Sequence, residues 1–166
     1  MFDVLPYIRS KVGIIVTGSE VYNGKIEDGF IPVIREKISS YGCSVEKTAI
    51  VTDDRTMISD TAKEMVNDGI ELIIVTGGLS VDPDDVTRFG LVDAGLTDYS
   101  YSMPVLPGAM TMTGAINDVI VAGVPAGALF SPKTAFDLLL PLMLTSWELV
   151  KEIVLRWVKV AFWSEC

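Results

Sequence analysis

A three-layer α/β domain with a mostly parallel sheet is the fold this sequence predicts, and three observations predict it. Short apolar runs rich in β-branched residues alternate with segments whose apolar positions fall at helical spacing, the order that builds βαβ crossovers. The polar motifs begin where those runs end. With 166 residues, 49% of them hydrophobic, the chain suits one domain whose core needs no staples.

Lys11 to Val16 is a β-branched run ending at Thr17-Gly18 and reads as a buried strand. Glu27 to Tyr41 carries Ile31, Ile34 and Ile38 at helical spacing, with Gly42 where a helix stops. Ser44 to Val51 is strand-like. Thr56 is placed to cap a helix with the stripe Ile58, Ala62, Met65 and Val66, closing at Gly69. Glu71 to Val75 is a third buried strand, ending at Thr76-Gly77-Gly78. Asp85 to Ala94 reads as a helix stopped by Gly95, and Leu96 to Ala115 as strand pieces and turns. Asp118 to Ala122 is another core strand, ending at Gly123-Val-Pro-Ala126. A long helical region begins near Ser131 or Lys133, and Pro141 is expected to kink or divide it. Its last part, Trp147 to Trp163, suits a core or an oligomer face better than a cofactor box. No repeat, low-complexity segment or linker interrupts the chain, so residues 1–166 are expected to form one domain with its core over 11–145.

Thirteen basic against 22 acidic residues give a net charge of −9, which argues against nucleic acid as a partner. A mean hydropathy of +0.43 excludes disorder. The chain has no histidine, which excludes Ser-His-Asp and Cys-His catalysis and histidine metal sites. Cys43 and Cys166 are too few for a disulfide framework. Residues 1–11 lack the pattern of a signal peptide. The most apolar stretch, Val119 to Ser131, is broken by Gly123, Pro125 and Gly127 and is shorter than the roughly 20 residues of a membrane span. The expectation is a cytoplasmic protein without a membrane partner.

If the strands are parallel, the motifs starting at Thr17, Thr52, Thr76 and Gly123 converge on the carboxyl edge of the sheet, where open α/β sheets bind ligands. Gly77-Gly78 lets backbone approach a ligand, and the helix after it is expected to present free amides to a phosphate. The same turn also arises for packing alone. No Walker loop or GxGxxG is present. Asp82, Asp84 and Asp85 beside the turn suit either helix capping or Mg²⁺ bridging to phosphate oxygens; a bare phosphate beside three acids would need a cation. Asp53-Asp54 poses the same choice, with turn chemistry favoured for Asp54. Glu20 lies in a loop with Asn23-Gly24, where a glutamate is ordinarily just solvated.

Together, Thr17-Gly-Ser-Glu-Val21, Gly24-Lys-Ile-Glu-Asp28, Val51-Thr-Asp-Asp54 and Thr76-Gly-Gly-Leu-Ser-Val-Asp-Pro-Asp-Asp-Val-Thr87 resemble, in order, the MogA/MoeA-type molybdopterin-binding domain of molybdenum cofactor biosynthesis. Val105-Leu-Pro-Gly108 and Gly123-Val-Pro-Ala126 resemble its later elements. The likeness runs from about Lys11 to Pro141 and looks closer to the MoeA-type variant, because Thr17-Gly-Ser-Glu20 parallels Thr-Gly-Asp-Glu.

The resemblance implies a three-layer domain that binds molybdopterin or adenylylated molybdopterin with Mg²⁺, assembles as a dimer or trimer, and either adenylylates molybdopterin with Mg-ATP, as MogA-type members do, or inserts molybdate into the adenylylated pterin with release of AMP, as MoeA-type members do. It also implies catalytic roles for Asp85, Asp53 and Glu20, with Asp85 and Asp53 as metal ligands. Ligand contacts are implied for Thr17, Gly18, Thr76, Gly77, Gly78, Ser80, Pro107, Gly108, Gly123 and Pro125. The chain departs from the pattern at Leu106 and Ala109, where lysines are common, at Gly123-Val-Pro-Ala126, and at Asp82 in place of a glycine. MoeA-type enzymes carry further domains, so a stand-alone binder and a piece of a longer protein are both expected forms. The departures favour a non-catalytic pterin- or nucleotide-binding module as the alternative. The related domain of CinA-type proteins, which act on nucleotides, is a third reading.

Overall fold

A computed structural model describes residues 4–79, 85–125, 127 and 131–162. Strands β1 (Lys11–Thr17), β2 (Ser44–Val51), β3 (Leu72–Thr76), β4 (Leu96–Tyr101), β5 (Met112–Ile116) and β6 (Val119–Val124) form one sheet in the order β2-β1-β3-β6-β5-β4. The helices are α1 (Ser19–Tyr22), α2 (Phe30–Ser39), α3 (Arg55–Asn67), α4 (Val86–Asp93), α5 (Ala135–Thr145) and α6 (Trp147–Phe162).

β2, β1, β3 and β6 run parallel, and β5 is antiparallel to both β6 and β4. The fold class read from the sequence is therefore correct, with an antiparallel extension the sequence did not spell out. Because β4 returns to the direction of β6, Tyr101 pairs with Met112 and Met112 with Gly123 at the carboxyl edge. The loop 102–111 opens on that same edge.

Successive residues of the central strands feed two cores, as strands covered on both faces must. Val12, Ile14, Val16, Leu72, Ile74, Ile120, Ala122 and Val124 pack under α2, α5 and α6, against Ile34, Ile38, Phe136, Leu140 and Val150. Ile15, Ile73, Val75 and Val121 pack against Ile58, Ala62 and Met65 of α3 and Leu91 of α4. Trp147 and Trp157 lie partly buried against the first core, while Trp163 lies outside the described residues. Among the described residues no helix is long and apolar enough to cross a membrane.

Local chemistry moved several boundaries. The second helix starts at Phe30, not Glu27, because Asp28 accepts from the amides of Phe30 and Ile31 at 3.0 Å each. Asp54, not Thr56, caps α3, accepting from the Met57 amide at 2.7 Å, as turn chemistry favoured. Pro141 does not divide the last helical region. It sits inside α5, and the break falls at Ser146, where the backbone is extended (φ −155°, ψ 132°).

The amino edge is tied down by Glu71. Its carboxylate accepts from the Ser10 amide at 2.8 Å and the Lys11 amide at 3.0 Å, while Ile8 and Arg9 donate to the Leu144 carbonyl. Burial pushes the Glu71 carboxyl up, but the Lys11 and Ser10 amides and the charges of Lys11 and Arg9 outweigh it and hold its pKa below 4.5. A carboxylate whose pKa is depressed on folding stabilises the fold above its unfolded value, and that contribution is lost as pH falls through the folded value. Glu71→Gln is therefore expected to be less stable than wild type near neutrality, with the gap closing below pH 4.5. Urea midpoints across about pH 7 to about pH 3 would show it; a gap constant over that range would contradict the role.

Candidate functional site

Strand order reverses between β1 and β3: the chain leaves β1 towards α2 on one face and β3 towards α4 on the other. The crevice this leaves at the carboxyl edge is where such sheets take ligands. Here two backbones meet almost without clearance. A Cβ on Gly77 would stand 2.0 Å from the Thr17 carbonyl oxygen, and one on Gly78 would stand 2.5 Å from Thr87 Oγ1. Gly77 and Gly78 hold φ of +89° and +61°, which glycine adopts without steric cost. Buried Thr17 Oγ1 and Thr87 Oγ1 lie 3.1 Å apart, and Thr17 Oγ1 also donates to the Thr76 carbonyl at 3.4 Å. The double glycine thus has a packing cause, the Thr17–Thr87 contact, alongside any role toward a ligand.

Asp85 is 4% exposed and is the N-cap of α4. Its Oδ1 accepts from the amides of Thr87 at 2.9 Å and Arg88 at 3.3 Å, and its Oδ2 from the Tyr101 hydroxyl at 3.2 Å. The amides expected to await a phosphate are therefore already satisfied by a carboxylate, whose charge also offsets the helix dipole. Burial and the Asp85 charge push the Tyr101 phenol up to about 12, so it remains a donor. The Arg88 guanidinium stacks 5.5 Å from the Tyr101 ring and 4.9 Å from that of Phe89.

Asp53 stands just past β2, where its Oδ2 receives the Ser19 amide at 3.0 Å and the Ser19 hydroxyl at 3.1 Å. Gly18 donates to the Val51 carbonyl at 3.0 Å. These bonds tie the loop after β1 to the end of β2. Glu20 belongs to the short helix α1 rather than a loop, and is exposed. Pro107, which follows a cis peptide, accepts from the Ala135 amide at 2.9 Å, and Gly108 accepts from Thr111 Oγ1 at 2.7 Å. The Pro-Gly loop is thereby seated on the start of α5. Gly123 lies within β6 rather than in the loop beyond it. A Cβ there would meet Leu79 and Met112 at 2.9 Å, so its visible role is to admit Leu79 beneath the cradle. Pro125 directly follows the strand.

The structure thus brings Thr17, Gly18, Asp53, Thr76, Gly77, Gly78, Asp85, Pro107, Gly108 and Pro125 to one edge. Ser80, Asp82, Asp84 and Ala126 lie outside the described residues. Sequence reasoning passed over Tyr101 and Arg88. Tyr101 closes an antiparallel strand that carried no motif, and Arg88 reads as an ordinary helix residue.

Among the described residues no three acidic, histidine or cysteine side chains converge, Asp85 has both oxygens engaged, and Asp53 one. In this structure Asp85 caps α4 and Asp53 anchors the loop after β1.

A family model described as a probable molybdopterin binding domain matches residues 13–146. Among solved structures, the chain resembles the molybdopterin biosynthesis enzyme MoaB of Thermus thermophilus, with a TM-score of 0.68, 21% identity, and coverage of 87% of this chain and 98% of that one. It also resembles the Mog protein of Mycobacterium ulcerans (TM-score 0.62, 20% identity, covering 87% and 99%). A CinA protein of unknown function from Thermoplasma acidophilum is similar too (TM-score 0.61, 18% identity, covering 81% and 96%). At these identities the likeness is one of fold. A CinA-like protein of Mycobacterium tuberculosis is 30% identical over 80 residues, 48% of this chain and 19% of that protein. The match spans about a fifth of such relatives.

Proposed function

The chain belongs to the family described as probable molybdopterin binding domains, and on that premise we propose that its carboxyl edge binds the pterin of the molybdenum cofactor in adenylylated form and supports molybdate insertion with release of AMP. One observation carries the reading: the loops after β1, β2, β3, β4 and β6 all leave the sheet at one edge, the edge of the switch in strand order between β1 and β3. Within it, Gly77 and Gly78 offer close backbone approach, and Asp53 keeps a carboxylate oxygen that neither Ser19 group engages.

In this reading the chain's own residues bind and orient rather than react. The Tyr101–Asp85 bond fixes the start of α4, Ser19–Asp53 fixes the loop after β1, and Pro107 fixes the lip over α5. Any Mg²⁺ would arrive with the ligand's phosphates rather than wait in the protein.

Purified protein mixed with adenylylated molybdopterin, Mg²⁺ and molybdate is expected to release AMP above a protein-free control. No release, with the pterin retained, would replace this reading by a non-catalytic binding module. The CinA-like relatives favour a second reading, a nucleotide-binding module. Tight binding of nucleotides with no preference for pterin would support it.

A further inference from the structure

A cavity of about 250 Å³ lies between α6 and the β4–β5 hairpin, at the end of the sheet opposite β2. None of the residues lining it belongs to the loops of the carboxyl edge. It owes its polar wall to one irregularity. Thr97 pairs with Ala115 and Ser100 with Thr113, so Asp98 and Tyr99 together stand opposite Gly114 alone. Leu96 faces the core shared with α3 and α4, and unbroken alternation would send Asp98 and Ser100 to that same side. The bulge, with Asp98 at φ +50°, turns both to the α6 side, where Ser100 stands beside Thr113.

Thr113 is 1% exposed, yet among the described residues its hydroxyl has no hydrogen-bond partner. The same holds for the side chains of Asp98 and Ser100. Three polar groups on one wall are thus left to whatever fills the cavity, and a buried polar group left unpaired is costly. The facing wall is Trp147, Val154 and Leu155 of α6, with Lys151 among them. The Lys151 ammonium lies 6.0 Å from the Trp147 ring centroid and pairs with Glu148 at 2.7 Å. Glu148 is 79% exposed, and so open a pair is weak enough for a ligand's carboxylate to displace. Asp98 and Lys151 share the cavity without pairing to each other.

We propose that this cavity binds a free α-amino acid, its ammonium on Asp98, its carboxylate on Lys151 and an uncharged side chain between Trp147 and Val154. The Ser100 and Thr113 hydroxyls are then left for a polar atom of that side chain. A zwitterion supplies both countercharges in one small molecule, whereas an anion alone would meet Asp98 and a cation alone would meet Lys151. The size agrees. The volume falls below the roughly 300–1,000 Å³ of sites for drug-sized ligands. The proposal goes beyond the carboxyl edge and does not depend on what binds there.

The test is calorimetric titration of the intact protein with the standard L-amino acids of uncharged side chain. At least one is expected to bind with a Kd of about 1 mM or tighter. Its 2-hydroxy acid, which lacks the ammonium, and its decarboxylated amine are each expected to bind about tenfold more weakly or worse. Asp98→Asn, which keeps a residue suited to φ +50°, is expected to weaken the amino acid by a similar factor and leave the 2-hydroxy acid unaffected. Lys151→Met is expected to do the converse, weakening the amino acid and sparing the amine. The analogue series uses the wild-type protein, so it decides the proposal even if a variant unfolds. No binding by any of the amino acids at about 10 mM, or binding indifferent to loss of the ammonium and the carboxylate, overturns the proposal. Binding of extended peptides without free amino acids overturns it too, and assigns the cleft to strand addition along β4.

Discussion

Replacing Gly77 by alanine is expected to cost this protein about 2–5 kcal/mol, a large share of the roughly 5–15 kcal/mol that holds a domain folded. Two effects add. The residue sits at φ +89°, where a side chain costs about 1–2 kcal/mol. The new Cβ would also lie 2.0 Å from the Thr17 carbonyl oxygen and 2.9 Å from Thr17 C and Oγ1. The carbonyl cannot rotate away, because Thr17 ends a strand held in register with β2 and lying beside β3. Relief requires the ends of β1 and β3 to part, with overpacking strain of about 1–3 kcal/mol. The urea midpoint should fall steeply, and the crevice should lose whatever it binds. A variant within about 1 kcal/mol of wild type would mean that the two backbones do not meet as described.

The second large effect is at Asp85, where two substitutions separate two roles. Asp85→Ala is expected to cost about 2–4 kcal/mol, combining loss of an N-cap with a Tyr101 hydroxyl stripped of this partner. Asp85→Asn is expected to stay within about 1 kcal/mol of wild type, since asparagine caps as well as aspartate does. Its oxygen can take the two amides and its NH₂ can face the Tyr101 oxygen. The asparagine variant is therefore the clean probe of charge. Loss of AMP release in Asp85→Asn, with its unfolding curve unchanged, would show that the carboxylate acts on the reaction. Equal turnover would leave Asp85 as a structural cap. If instead both variants unfold alike, the cap geometry itself is wrong.

Much of this arrangement was legible before any coordinates. The apolar runs at Lys11–Val16, Glu71–Val75 and Asp118–Ala122 became β1, β3 and β6, and the strand-like Ser44–Val51 became the edge strand β2, with ends shifted by at most a residue or two. A parallel strand buried on both faces can hardly be written otherwise. The antiparallel pair was not legible. β4 is broken by an irregular register between Thr97 and Ser100, with Asp98 at φ +50°. The turn between β5 and β6 is only Asn117-Asp118, and Asn117 at φ +53° was the local signal for that hairpin. Leu96 to Ala115 reads only as strand pieces and turns, without the pairing that brings Tyr101, the last residue of β4, to Asp85.

The sequence by itself determined the alternation of strand and helix, the two-sided core, the convergence of motif-bearing loops and the family, because these follow from local periodicity and contiguous motifs. Only the tertiary structure decided what each aspartate does. Asp28, Asp54 and Asp85 look alike as letters beside turns, and whether such a group caps, anchors or coordinates depends on which amides and hydroxyls lie within about 3 Å of its oxygens. At Asp85 that choice was made by Thr87 and Arg88 two and three residues on, and by Tyr101 from a strand at the far edge of the sheet.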